Sequence, residues 1–140
     1  MPKLDPEQNI KAYKRVLDAM DAGLVRACHD CSEGGLAVAL SEMAFTGDFG
    51  LDVDVALVSV SEQMRDDILL FSESNGRLLI EVPADKTEAF EKILSDSPFS
   101  CIGAVKQDKK LSITKDGAPL FEVPLKALIE SWKTPLEARR

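Results

Sequence analysis

Leu24-Val25-Arg26-Ala27-Cys28-His29-Asp30-Cys31-Ser32-Glu33-Gly34-Gly35-Leu36-Ala37-Val38-Ala39-Leu40-Ser41-Glu42-Met43 is the stretch whose reading decides the fold. Leu24 to Cys28 reads as a short strand. His29 to Gly35 is polar and glycine-rich and breaks it. Leu36, Leu40 and Met43 then share one helical face, and the helix stops near Gly47. Strand, glycine loop and helix in succession belong to a sheet with helices packed on it.

The same alternation extends both ways. Upstream, Asp5-Pro6-Glu7-Gln8 opens a helix: Asp5 can cap it, Pro6 suits the first turn, and Gln8 holds the capping-box position. Ile10, Tyr13, Leu17 and Met20 repeat at helical spacing, and Gly23 stops the helix. Downstream, Leu51, Val53, Val55 and Leu57 alternate with Asp52, Asp54 and Ala56 as a half-buried strand. Residues 61–71 read as a helix with Met64, Ile68 and Phe71 on one face. Asn75-Gly76 is a turn, and 77–82 a strand. Asp85 and Glu88 make a capping box for a helix whose Phe90, Ile93 and Leu94 face inward. Residues 99–105 and 111–114 read as strands that can pair as a hairpin, and Lys115-Asp116-Gly117 as a turn. Leu125, Leu128, Ile129 and Trp132 define a last helix with Trp132 as a core anchor, followed by a loose polar tail from Lys133. The expected fold class is α/β (α+β), a mixed β-sheet flanked by helices, in a single domain over residues 1–140.

Composition narrows the functions. The 140 residues carry 17 basic and 24 acidic side chains, a net charge of −7, which speaks against a nucleic-acid binder. No apolar run approaches a membrane span, and no secretory leader opens the chain. Three cysteines are too few, and odd, for a disulfide framework, which fits a reducing cytoplasm.

The chemistry-bearing candidate is His29-Asp30-Cys31-Ser32-Glu33-Gly34-Gly35. Backbone N–H groups at a helix start attract anions, and glycine lets a ligand approach the backbone. Asp30 offers a hard oxygen to Mg²⁺, which binds through one or two carboxylates plus phosphate oxygens. Ser32 can donate to a phosphate or cap the helix. These residues outline a Mg-phosphate site; the plainer reading is a tight turn with a Ser N-cap and two glycines. Ser72-Glu73-Ser74-Asn75-Gly76-Arg77 is a second polar stretch, either a substrate-facing loop or a solvated turn. Cys28, His29 and Cys31 admit a metal or redox reading. No second C-x-x-C pair supports it, and Cys28, at the end of a strand, reads as a small buried hydrophobe.

His29 to Ala44 resembles the "HDxSDGGLAVALAEMA" stretch of phosphoribosylformylglycinamidine (FGAM) synthase. Leu70-Phe71-Ser72-Glu73-Ser74-Asn75-Gly76-Arg77 looks like that family's "LFSESxGR", and Leu128-Ile129-Glu130-Ser131-Trp132 is similar to its closing helix. The resemblance covers nearly the whole chain. It implies the C-terminal domain of the aminoimidazole ribonucleotide synthetase superfamily, as part of a longer multidomain enzyme. The activity it implies is ATP-dependent conversion of formylglycinamide ribonucleotide (FGAR) to formylglycinamidine ribonucleotide with glutamine-derived ammonia. The implied ligands are ATP or ADP and Mg²⁺. The implied partners are preceding nucleotide-binding domains and a glutaminase domain or subunit. Carried over residue by residue, Asp30 is the metal position and Ser32 a nucleotide position with Gly34 and Gly35, at an auxiliary site rather than the catalytic one. Glu33 stands where the family has Asp. Ser72, Glu73 and Arg77 match a substrate loop by internal symmetry. The fragment alone is expected to be inactive. Two other readings stand beside this one: a freestanding nucleotide-binding or assembly module of the same fold, and a Cys/His metal or redox domain.

Overall fold

The computed structural model describes residues 5–60 and 62–134. Asp5 caps the first helix, α1 (Pro6–Asp21), its Oδ1 accepting from the Gln8 N–H at 3.0 Å. Strand β1 (Ala27–Asp30) pairs antiparallel with β3 (Leu78–Glu81). Helix α2 (Gly35–Gly47) follows β1 directly, then β2 (Gly50–Asp54) and a 3₁₀ turn at Val55–Leu57. The chain continues through α3 (Asp66–Phe71), β3, α4 (Thr87–Ile93), β4 (Gly103–Lys106), β5 (Lys110–Lys115), β6 (Ala118–Pro124) and α5 (Leu125–Lys133). The main sheet is mixed and four-stranded, in the order β4-β2-β5-β6. Only the β2–β5 pair is parallel, and the long excursion between those strands supplies the crossover that parallel pairing requires.

Two cores result. In the first, Leu36, Ala37, Ala39 and Leu40 of α2 pack on Val53, Val55, Leu111 and Ile113, with Leu69 and Leu70 of α3 closing one side. Val53, Ile113 and Phe121 lie in register across the sheet, as do Leu51, Leu111 and Val123. The intervening row of Asp52, Ser112 and Glu122 is polar: Lys110 pairs with Glu122 at 2.6 Å and Lys106 with Asp52 at 3.5 Å. In the second core, Val16 and Ala19 of α1 meet Phe90 and Leu94. The β1–β3 ribbon divides the two, because alternate side chains leave a strand on opposite faces. Leu79 packs with the first core, Leu78 and Ile80 with the second. Arg15 and Lys11 also grip Asp96, which holds its carboxyl well below the usual carboxylate range.

Several sequence expectations shift. The first strand lies at 27–30 rather than 24–28, since the chain pairs where β3 is available. Residues 99–105 and 111–114 do not form a hairpin, because β2 lies between β4 and β5; the hairpin is β5–β6, turning at Asp116-Gly117. The helix before Phe71 is six residues long and buries Leu69 and Leu70, leaving Ile68 and Phe71 exposed. The Ile10, Tyr13, Leu17 and Met20 stripe is exposed too; α1 packs through smaller residues one step around the helix. Asp85 does not cap α4: the residue at that N-cap is Lys86, and a 3₁₀ turn precedes it. Trp132 is 66% exposed, in tilted contact with Phe45, and Leu125 is the buried residue of α5. The tail beyond Thr134 lies outside the described residues.

Two contacts fix local geometry. At the start of α2, Gly35 has φ +63°, and a Cβ there would sit 2.6 Å from the Ser72 carbonyl oxygen and 3.0 Å from that of Leu70. Asp54 accepts from the N–H groups of Ala56 at 2.9 Å, Gly117 at 3.0 Å and Asp116 at 3.1 Å, tying the 3₁₀ turn to the β5–β6 turn. These bonds, that to Ala56 foremost, hold the Asp54 carboxyl below its ordinary value.

Gly35→Ala is expected to destabilise the chain by about 2–4 kcal/mol, combining left-handed strain with overpacking against backbone; a denaturant melt reads it. Because the folded value of Asp54 is depressed, its stabilisation is full above the unfolded carboxylate pKa of about 3.9. It is lost as pH falls through the folded value. Thermal melts from neutral to acid pH are expected to show a lower Tm for Asp54→Asn at neutrality and a shallower acid decline than the wild type.

Candidate functional site

The alternation of β1 carried one residue past its end arranges the glycine loop. Asp30 and Ser32 project outward while Cys31 between them is buried in the first core. The Cys31 N–H continues the ladder by donating to the Arg77 carbonyl at 3.0 Å. The Asp30 side chain is 68% exposed, with His29 Nδ1 3.5 Å from its Oδ1. Ser32 does not cap α2. The N-cap is Gly34, left-handed at φ 74°, and it is the Ser32 carbonyl that accepts from the Gly35 N–H at 3.1 Å.

The second polar stretch meets the first. Glu73 Oε1 accepts from the Gly34 N–H at 3.1 Å, placing a carboxylate at the positive end of α2. Arg77 is half-buried and turned inward. Its guanidinium donates to the carbonyls of Leu69 and Ser72 at the end of α3, and to Ser72 Oγ at 3.4 Å. Thus Asp30, Ser32, Gly34, Gly35, Ser72, Glu73 and Arg77 do converge. Of these, Asp30, Ser32 and Glu73 are exposed, and Glu73 and half-buried Arg77 are engaged with the loop's own backbone and that of α3.

Reasoning from sequence weighed His29 only as a neighbour of cysteines and did not single out Glu42. In the fold, His29 Nε2 lies 2.8 Å from Glu42 Oε2, and Nδ1 lies 2.8 Å from the Asp30 carbonyl oxygen. Helical phase was the one available signal, since Glu42 stands two turns beyond Gly35.

Cys28 is exposed, contrary to expectation, and Cys31 is the buried one. Desolvation raises both thiols above their ordinary value, and the Asp30 charge adds to it. Raised thiols are poor nucleophiles and poor metal ligands. Among the described residues, no group of three or more His, Cys, Asp or Glu side chains is placed to hold a metal ion, and no helix is long and apolar enough to cross a membrane.

Comparison with known proteins agrees with this architecture. The chain is 39% identical over 134 residues to phosphoribosylformylglycinamidine synthase subunit PurL of Thermoanaerobacter pseudethanolicus, covering 94% of this chain and 18% of that protein. Two solved structures of T. maritima PurL share the fold at 24% identity. The one complexed with FGAR has a TM-score of 0.83 over 91% of this chain and 22% of that one. The one complexed with ATP has a TM-score of 0.77 over 84% and 21%. The chain therefore spans about a fifth of the length of the relatives it matches. Residues 2–116 match the family described as AIR synthase related protein, C-terminal domain, and the chain belongs to that family.

Proposed function

We propose that residues 1–140 are a C-terminal domain of an ATP-dependent FGAM synthase, a carbon–nitrogen ligase of purine biosynthesis. The observation that carries this reading is the 39% identity to a PurL subunit along 94% of the chain. The whole enzyme converts FGAR to formylglycinamidine ribonucleotide with glutamine-derived ammonia in the cytoplasm. This domain works there with preceding nucleotide-binding domains and a glutaminase domain or subunit. T. maritima PurL structures complexed with FGAR and with ATP support the choice of substrate and nucleotide.

The loop's part is to hold an auxiliary Mg-nucleotide. Two exposed carboxylates, Asp30 and Glu33, and one exposed hydroxyl, Ser32, lead into a turn of glycine backbone. This donor set is too small to cage an ion alone. It fits Mg²⁺ shared with phosphate oxygens and water, which is how that ion usually binds. Asp30 is the metal ligand, Ser32 donates to a phosphate oxygen, and Gly34 and Gly35 let the phosphate close on the backbone. The bound ion would neutralise phosphate charge beside the loop. Glu73 and Arg77 shape the turn.

The pure 140-residue chain is expected to show no ATP- and ammonia-dependent FGAM synthesis. A hybrid in which it replaces the matching segment of the T. pseudethanolicus subunit is expected to restore that synthesis. Turnover by the chain alone, or an inert folded hybrid, would overturn the reading. In the chain itself, MgADP titration followed by amide NMR is expected to shift signals over residues 29–36 with weak, millimolar affinity. Asp30→Asn is expected to remove most of that response. Ser32→Ala, at an exposed side chain that makes no cap, is expected to change stability by less than about 0.5 kcal/mol while weakening the nucleotide.

A further inference from the structure

We infer that Glu42, acting through His29, is a positioning residue for the Asp30 carboxylate, an inference that rests on the Mg-nucleotide reading of the loop. Asp30 is the last residue of β1, with an exposed side chain, so a second group must limit its orientation if it is to meet an ion repeatedly in one geometry. His29 is that group. Its Nδ1 lies 2.8 Å from the Asp30 carbonyl oxygen and 3.5 Å from Oδ1 of the same residue. An imidazole held from one side can still turn about its side-chain bonds. Glu42 limits this from the other side, its Oε2 2.8 Å from Nε2 and accepting from that nitrogen in the tautomer that protonates it.

Glu42 has a firm base. It stands on α2, which is anchored in the first core by Leu36 and Leu40. The His29 and Glu42 side chains are only 30% and 29% exposed, so this contact is better sheltered than the surface ion pairs elsewhere on the chain. The path therefore runs from a buried helix through a carboxylate and an imidazole to the Asp30 backbone carbonyl, with the Asp30 carboxylate 3.5 Å from the same ring nitrogen. Carboxylate–histidine pairs behind metal ligands serve this purpose, and their loss typically costs 10–100-fold in metal affinity.

The test uses the 140-residue chain and MgADP, read by amide NMR, with thermal melts in parallel. Glu42→Leu removes the acceptor and is expected to weaken MgADP about tenfold or more. Glu42→Gln keeps an oxygen acceptor at that position and is expected to retain most of the affinity. His29→Gln is expected to behave like Glu42→Leu, and it decides the matter should Glu42→Leu fail to fold. A merely structural role predicts a lowered Tm with unchanged affinity in the folded fraction. That result, or wild-type affinity in His29→Gln, overturns the inference while leaving the site reading standing. A wild-type chain whose loop signals do not respond to MgADP overturns the site reading and the inference with it.

Discussion

The close approach of the Gly35 backbone to the Ser72 and Leu70 carbonyls is the constraint on which the rest depends. It allows α2 to begin hard against the end of α3, which no residue with a side chain permits. Once the two ends are this near, the polar segment that follows α3 reaches the start of α2 as well as its own helix end. Glu73 takes the Gly34 N–H, and Arg77 takes the carbonyls that close α3. The Arg77 carbonyl in turn receives the Cys31 N–H, which pins the middle of the loop. A single pair of glycines thereby converts a flexible polar stretch into a scaffold with Asp30 and Ser32 on its outer side.

Packing makes that scaffold rigid from both directions. The alanines at 37, 39 and 44 are buried in α2 and let the helix lie close to the sheet, and β3, which pairs with the strand that leads into the loop, packs on both cores through Leu79 on one side and Leu78 and Ile80 on the other. A group at the end of such a ribbon moves little unless a core moves, and buried side chains packed at crystal-like density resist that. The positional accuracy a bound ion requires can therefore come from hydrophobic burial some distance away. The hydrogen bonds at the loop direct it.

Much of this was legible in the residues, and the exceptions share a cause. The capping of α1 by Asp5, the extent of α2 and the Asn75-Gly76 turn could all be read, because each depends on neighbours in sequence. Helical spacing correctly marked α1, but it could not show that Val16 and Ala19, rather than Leu17 and Met20, meet the core, since that depends on where α4 lies. The insertion of β2 between β4 and β5 is likewise invisible locally. Arg77 reads in sequence as part of a substrate-facing loop or a solvated turn and proves to be occupied by carbonyls, while Glu42, which no sequence pattern singles out, lies against His29. Partners met only in the fold decide the roles of these charged residues, and periodicity alone does not name them.

On the proposed reading of the loop, the local electrostatics favour a nucleotide that arrives together with a cation. Asp30, Glu33, Glu42 and Glu73 bring four carboxylates to the neighbourhood of the turn, on a chain that is already net negative at −7. Arg77 offers little compensation outward, because its guanidinium is turned to backbone carbonyls, and the Gly34 N–H already serves Glu73. A bare phosphate approaching Ser32 therefore meets repulsion, at separations short enough for salt to screen it poorly. A divalent cation held by Asp30 would reverse the sign of the field at that point, and the carboxylate that would repel the phosphate would then anchor it. On that reading, the acidity at this turn is the reason that ion and phosphate would arrive together.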